Sequence, residues 1–286
     1  SAEKKVIVGD KAKNAGAGDP NRVIREVKRE MGNDQIFDVT KGDWFEGVSD
    51  LETKFSPTEI ASFILGKLKS YSEGVEEVVI TVPASFTEKA KQQTTEAAEN
   101  AGLKVLNLVN EPTAAILHYA NLPGVNISGR VLVFDLGGGT FDISVADVSG
   151  KKIDMITSDG DQNLGGTDFD REIFKMLNSK YKSEKDAELD IKNQDLIETS
   201  EKIKRTLSVK KSVTSVVDGP NGPIEIEITR DEFIESISIY LQKIIMLLQS
   251  ILEKPKVGGA GAIDEILLVG GSTRSPSSRS PSPSSK

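Results

Sequence analysis

Cysteine is absent from this 286-residue chain. That removes a disulfide framework, any thiolate metal site and a thiol nucleophile, and it accords with a reducing compartment. Histidine occurs once, at His118, so neither a catalytic triad nor a histidine zinc site has support, and His118 is read as structural. No apolar run approaches the roughly 20 residues of a membrane span. The opening SAEKKVIVGD lacks the apolar stretch of a signal peptide. The expected setting is cytoplasmic, with an organelle left open should a targeting segment have been removed. Positive charge is in deficit: 36 Lys and Arg against 44 Asp and Glu leave a net charge of -8. That balance argues against nucleic-acid or acidic-membrane partners, so a phosphate ligand has to be held locally, by backbone amides and a few cations. Apolar content of 37% beside 28% charge suits a soluble globular protein with one large domain or two lobes.

The most informative string is VLVFDLGGGTFDISVADVSG, residues 131–150. An apolar strand ends in Asp135, three glycines follow, and Ile143, Val145 and Val148 resume with a period near two. Gly137, Gly138 and Gly139 carry no Cβ and tolerate positive φ, so their amides can approach an anion. Asp135 and Asp142 flank the turn, placed to hold a hydrated divalent cation through water. No Gly-Lys-Ser/Thr follows and no helix starts here, which excludes a Walker loop. The same residues also suit an ordinary glycine-rich hairpin.

Along the chain, the first fifty residues read as a small, loop-rich subdomain. A helix is predicted from Ser56, with Pro57 first and Glu59 completing a capping box; Ile60, Phe63, Ile64, Leu68 and Tyr71 form its apolar face. Strand 75–82, helix 87–101, strand 104–109 and a helix from Pro112 follow in βαβα order, the mark of a layered α/β domain. Residues 121–129, punctuated by Pro123, Gly124 and Gly129, form the expected lobe junction. Strands 131–136, 140–148 and 151–157 then form a meander. Helices 168–181 and 193–208, a β segment 224–228, one long helix 231–254 and a strand 263–269 complete the pattern. The Ser/Pro-rich stretch 275–286 lacks apolar residues and is expected to stay disordered; phosphorylation of it is a weaker alternative.

Four further motifs are ambiguous singly. NEPTAA (110–115) joins a strand to a helix, where Glu111 either favours the helix dipole or orients water. LGGTDFD (164–170) brings Gly165 and Gly166 to a helix start, for phosphate contact or for capping by Thr167 or Asp168. EKIKRTLS (201–208) aligns Glu201, Lys204, Arg205 and Ser208 on one helical face, a pattern equally typical of a solvated surface. LLVGGSTR (267–274) runs a buried strand into Gly270, Gly271, Ser272 and Arg274.

In this order the motifs resemble the nucleotide-binding domain of the seventy-kilodalton heat-shock chaperone family. FDLGGGTFD looks like its second phosphate motif, VNEPTAA its first connecting segment, and GDQNLGGTDFD, EKIKRTLS and LLVGGSTR its next phosphate contact, adenine-and-ribose clamp and adenosine motif. GDKAKN followed by REVKREMG resembles the segment carrying the family's catalytic lysine, which falls on Lys28, and ITVPASF (80–86) resembles an interior strand and turn.

The resemblance implies an α/β, two-lobed actin- and hexokinase-like ATPase fold with ribonuclease H-like lobes. The first lobe would span 1–128, the second 129–274 and the tail 275–286. ATP or ADP with magnesium would bind at the base of the cleft. Lys28 would position attacking water, Glu111 would orient it, and Asp135, Asp142 and (through water) Glu111 would hold the metal. Thr140 would contact the γ-phosphate, with Gly137 to Gly139, Gly165 and Gly166 lining the phosphates. Glu201, Lys204, Arg205 and Ser208 would hold adenine and ribose, and Gly270, Gly271, Ser272 and Arg274 would close the adenosine pocket. Partners would be a J-domain co-chaperone, a nucleotide-exchange factor and client proteins, the last through a peptide-binding domain not found here. The implied function is ATP-driven client binding and release in protein folding and stress response. A non-hydrolysing regulatory or scaffold module of the same fold, and less readily a sugar or acetate kinase, are the alternatives.

No Asp-Leu-Gly-Thr-Thr-like loop precedes Lys28, and the tail stands where the family continues into a further helix and connecting segment. Either a fragment of a longer protein or an atypical member is expected, with an incomplete first lobe and feeble hydrolysis. The second lobe retains most strands of its sheet and is expected to be the more stable. Hydrogen exchange should therefore be slower across strands 131–148 than across 75–82; equal protection in a monomer would contradict this.

Overall fold

The continuous apolar run VLVF and the largely apolar ISVADV form strands that are covered on both faces. A computed structural model describes residues 6–15, 23–38 and 54–274, which divide into two compact units, Ser1–Glu111 and Pro112–Lys286. In the first unit α1 (Asp10–Ala15) and a 3-10 turn (Val27–Glu30) precede the short pair β1 (Phe37–Asp38) and β2 (Lys54–Phe55). Helix α2 (Pro57–Lys69), strand β3 (Glu77–Val82), helix α3 (Glu88–Asn100) and strand β4 (Lys104–Asn110) follow, with β3 and β4 parallel. Helix α4 (Glu111–Ala120) starts immediately after β4.

The Ser56 hydroxyl accepts from the Glu59 amide while the Glu59 carboxylate accepts from the Ser56 N–H at 2.7 Å, the capping box expected from sequence. The apolar face expected for α2 is only partly used. Ile60 is buried, Ala61 packs against the cluster of Met31, Val82, Phe86 and Ala90, and Phe63 meets Phe55 edge to face, but Ile64, Leu68 and Tyr71 are exposed. Helical period identifies which residues share a face, and among the described residues the far end of this face has no covering element. His118 is exposed on α4.

In the second unit β5 (Gly129–Leu136), β6 (Phe141–Ser149) and β7 (Lys152–Asp161) form the expected antiparallel meander. Strand β10 (Glu265–Val269) adds parallel to β5, giving the order β10-β5-β6-β7. One sheet face packs Val131, Val133, Ala146 and Val148 against Ile116 of α4. The other packs Leu132, Leu136, Phe141, Ile143 and Val145 against α5 (Gly166–Lys185), α6 (Gln194–Leu207) and α8 (Ser238–Leu252). Burial on both sides explains the nearly continuous apolar run of β5. A separate hairpin pairs β8 (Ser212–Val217), which sequence reading missed, with β9 (Ile224–Thr229). Three valines and a threonine in the SVTSVV run of β8 favour a strand, and it pairs with IEIEIT.

The single helix expected over 231–254 is instead two, α7 (Arg230–Ser236) and α8, bent by 60°. The Ser236 hydroxyl donates to the Phe233 carbonyl at 2.8 Å, and the Ile237 N–H takes the same carbonyl at 3.2 Å. That local bonding tightens the turn, and Ile237 is driven wholly into the core. Among the described residues no single helix is long and apolar enough to cross a membrane.

Several carboxylates are held ionised by this framework. Backbone and hydroxyl donors of Ser56 pull Glu59 below its ordinary value, Lys180 and the Thr229 backbone do the same for Glu232, and Arg130 does so for Asp147. Each such group favours the folded state while ionised, and that contribution is lost as pH falls from about 4 through the depressed folded value. Denaturant midpoints should drop on acidification across this window. Glu59→Gln and Glu232→Gln should each flatten the drop, and a double variant as acid-sensitive as the parent would refute it.

Candidate functional site

Asp135 and Asp142 face each other across the β5–β6 ladder as register partners. Partnered residues share a sheet face, so both carboxylates lie on the α4-covered face, beyond its apolar cluster. Their row continues to Val269 on β10 and Gly160 on β7. One register step inward Ser144 and Ser158 share a hydroxyl hydrogen bond of 3.0 Å. Toward the C-terminal end of β5 this face thus turns from aliphatic to polar. Asp142 is only 2% exposed, and Thr140 lies buried in the turn between the strands.

Two glycines keep room beside the pair. A Cβ on Gly160 would stand 2.5 Å from the Phe141 carbonyl oxygen and 3.1 Å from Asp142 Oδ1. A Cβ on Gly270 would collide with the Leu136 carbonyl and reach within 2.8 Å of Asp135 Oδ1; its φ of 85° also favours glycine. Gly160 escaped the sequence reading as a site residue, although it opens the GDQNLGG string.

The hairpin turn itself departs from expectation. Gly137 and Gly138 do not use positive φ. They serve instead as acceptors: the N-terminus of α5 docks onto their carbonyls. Gly166 N–H donates to the Gly137 carbonyl at 3.0 Å and Thr167 N–H to the Gly138 carbonyl at 2.8 Å. Gly165 N–H is held by the Asp168 carboxylate at 2.8 Å, so Asp168 supplies the cap that sequence left open between it and Thr167. The amides of Gly165 and Gly166, expected to line phosphate, are therefore engaged within the protein, as is Gly137 N–H, which donates to Thr140 O.

The β10 turn and α6 meet the same place. Ser272 Oγ donates to the Gly137 carbonyl at 2.9 Å. Lys204 Nζ donates to the Gly166 carbonyl at 2.8 Å and to the Asp170 carboxylate at 2.9 Å. The face expected for α6 is consequently split. Lys204 turns into α5, while Arg205 and Glu201 sit outward, 77% and 44% exposed and 3.9 Å apart. Ser208 closes back on the Lys204 carbonyl at 3.4 Å. Gly271 has open space where a Cβ would stand, and Arg274 ends the 3-10 turn Gly271–Arg274 in an exposed position.

In the first unit Lys28 Nζ donates to Glu111 Oε1 at 2.8 Å across 83 residues of sequence. Lys28 rides on the 3-10 turn after Glu26, which adopts left-handed φ of 57°, and Glu111 stands just past the C-terminal end of β4, where parallel strands commonly present ligand groups. With the two side chains 50% and 21% exposed, this pair adds little stability.

A family model described as Hsp70 protein matches residues 2–280 of the chain.

The close packing at the hairpin sets a testable contrast among glycines. Gly165 is extended, at φ −173°, yet a Cβ there would stand 2.5 Å from Gly138 O. Gly165→Ala and Gly270→Ala should each destabilise by about 1–3 kcal/mol in urea unfolding through overpacking and, at Gly270, strain. Gly138→Ala, with nothing within 4 Å, should stay within about 0.5 kcal/mol of the parent. Equal effects at all three positions would refute the docking geometry.

Proposed function

The chain belongs to the Hsp70 family, in general terms a chaperone ATPase domain that binds ATP or ADP, and from that premise we propose which residues perform the nucleotide chemistry. The observation that carries the proposal is the carboxylate pair Asp135 and Asp142, partnered across β5–β6 beside a three-glycine turn and kept unobstructed by Gly160 and Gly270. In this reading the turn 137–140 and its attached β10 and α6 elements bind the nucleotide. Thr140 contacts the terminal phosphate, Arg205 and Glu201 offer the exposed face of α6 to the base and ribose, and Gly271 leaves space for the adenosine.

The residues suit a magnesium ion. Among the described residues no group of three or more His, Asp or Glu side chains could hold a bare metal. A carboxylate pair instead suits an ion that keeps most of its waters, as magnesium does. Asp135 and Asp142 would hold it, and when bound it would neutralise phosphate charge. Lys28 and Glu111 have complementary tasks. The ammonium balances charge developing on the terminal phosphate, and the carboxylate both orients that ammonium and accepts a hydrogen bond from water. Such catalysis rests on positioning and charge stabilisation. We assign the resulting cycle to the binding and release of client proteins, with a J-domain co-chaperone and a nucleotide-exchange factor as partners.

Isothermal titration with magnesium-ADP tests the assignment. Arg205→Ala and Gly271→Val should each weaken binding by about tenfold or more, equivalent to about 1.4 kcal/mol. A Cβ at this position meets no neighbouring atom within 4 Å, and an unchanged urea midpoint for the valine variant separates an effect on ligand space from one on folding. Lys28→Ala should lower phosphate release by on the order of 10²–10³ and leave ADP affinity nearly unchanged. ADP binding indifferent to both Arg205→Ala and Gly271→Val would remove the assignment.

A further inference from the structure

We infer that Asp170 is a positioning residue for the nucleotide site, acting through Lys204 on the peptide group that docks α5 to the glycine hairpin; the inference rests on the function proposed above. Asp170 lies one helical turn beyond Gly166 and so on the same side of α5. Its carboxylate and the Gly166 carbonyl receive Lys204 Nζ together, at 2.9 and 2.8 Å. The two side chains are only 15% and 14% exposed, so solvent screens the pair weakly, and removing the carboxylate would leave an ammonium facing a carbonyl without its counter-charge.

The peptide unit concerned has two ends. Its carbonyl, on Gly166, takes Lys204; its N–H, on Thr167, donates to the Gly138 carbonyl at 2.8 Å. A cation on the carbonyl polarises the amide and strengthens what its N–H donates. Asp170 fixes the cation there. The charge state of one ion pair on the α5–α6 seam thereby sets how firmly the hairpin is held. A Cβ on Gly166 would meet Ser272 Oγ and stand 3.0 Å from Lys204 Nζ, so no side chain can intervene.

The test measures amide exchange without nucleotide, alongside ADP affinity, in Asp170→Asn, Asp170→Glu, Lys204→Met and the Asp170→Asn/Lys204→Met double variant. Asp170→Asn should speed exchange of the Thr167 and Gly166 amides about tenfold while Ile143 and Val145 in β6 keep parental rates, which separates local release from general unfolding. ADP affinity should fall about tenfold. Asp170→Glu should restore most of both effects, and the double variant should be no worse than Lys204→Met alone. Unchanged Thr167 exchange in Asp170→Asn, or losses that add in the double variant, would overturn the inference. A parent that fails to bind ADP overturns the nucleotide reading alone, since the exchange measurement still decides what Asp170 holds.

Discussion

Two backbone hydrogen bonds, from Gly166 and Thr167 to the carbonyls of Gly137 and Gly138, govern the rest of the second unit's polar end. They join a helix N-terminus to the tip of a β hairpin, which requires the two backbones to touch. That contact explains the glycine at the helix entrance: a methyl group on Gly165 has no room beside the Gly138 carbonyl. It also consumes helix N-terminal donors that would otherwise be free for an anion. With the hairpin tip held from one side, Ser272 can hold it from another, and the carboxylates at its base keep a constant separation set by the ladder.

Much of the fold was legible because its signals are local. The Ser56–Glu59 capping box, Pro57 at the start of α2, and the apolar stretches on either side of the three glycines each depend on residues a few positions apart. The failures share the opposite property. The break between α7 and α8 follows from Ser236 competing for a carbonyl, a feature no periodicity reveals in a run that is apolar throughout. The exposure of Ile64, Leu68 and Tyr71 reflects what packs against α2, which its own sequence does not encode.

The site divides in the same manner. The carboxylates around the hairpin could be read from their flanking position, and the resemblance brought Lys28 and Glu111 together before their ion pair was seen. Elementary physical chemistry alone would not have linked two residues so distant, because a half-exposed ion pair leaves no mark on composition or period. Asp170 and Gly160 were hidden for a related reason. Each sits within a recognised motif string, yet matters through a neighbour on another element: Lys204 on α6 and Asp142 on β6.

The parallel strand β10 has a kinetic consequence. Strands β5, β6 and β7 pair with neighbours adjacent in sequence, so the meander closes small loops and can assemble early. Strand β10 reaches β5 only after more than a hundred residues, and both the Arg130 N–H to Asp264 bond and the Ser272 to Gly137 bond close loops of comparable length. Loop-closure entropy makes these late contacts. The hairpin is consequently born with its glycines in place but its tip free of Ser272, and it is held from that side only when the last strand of the sheet arrives.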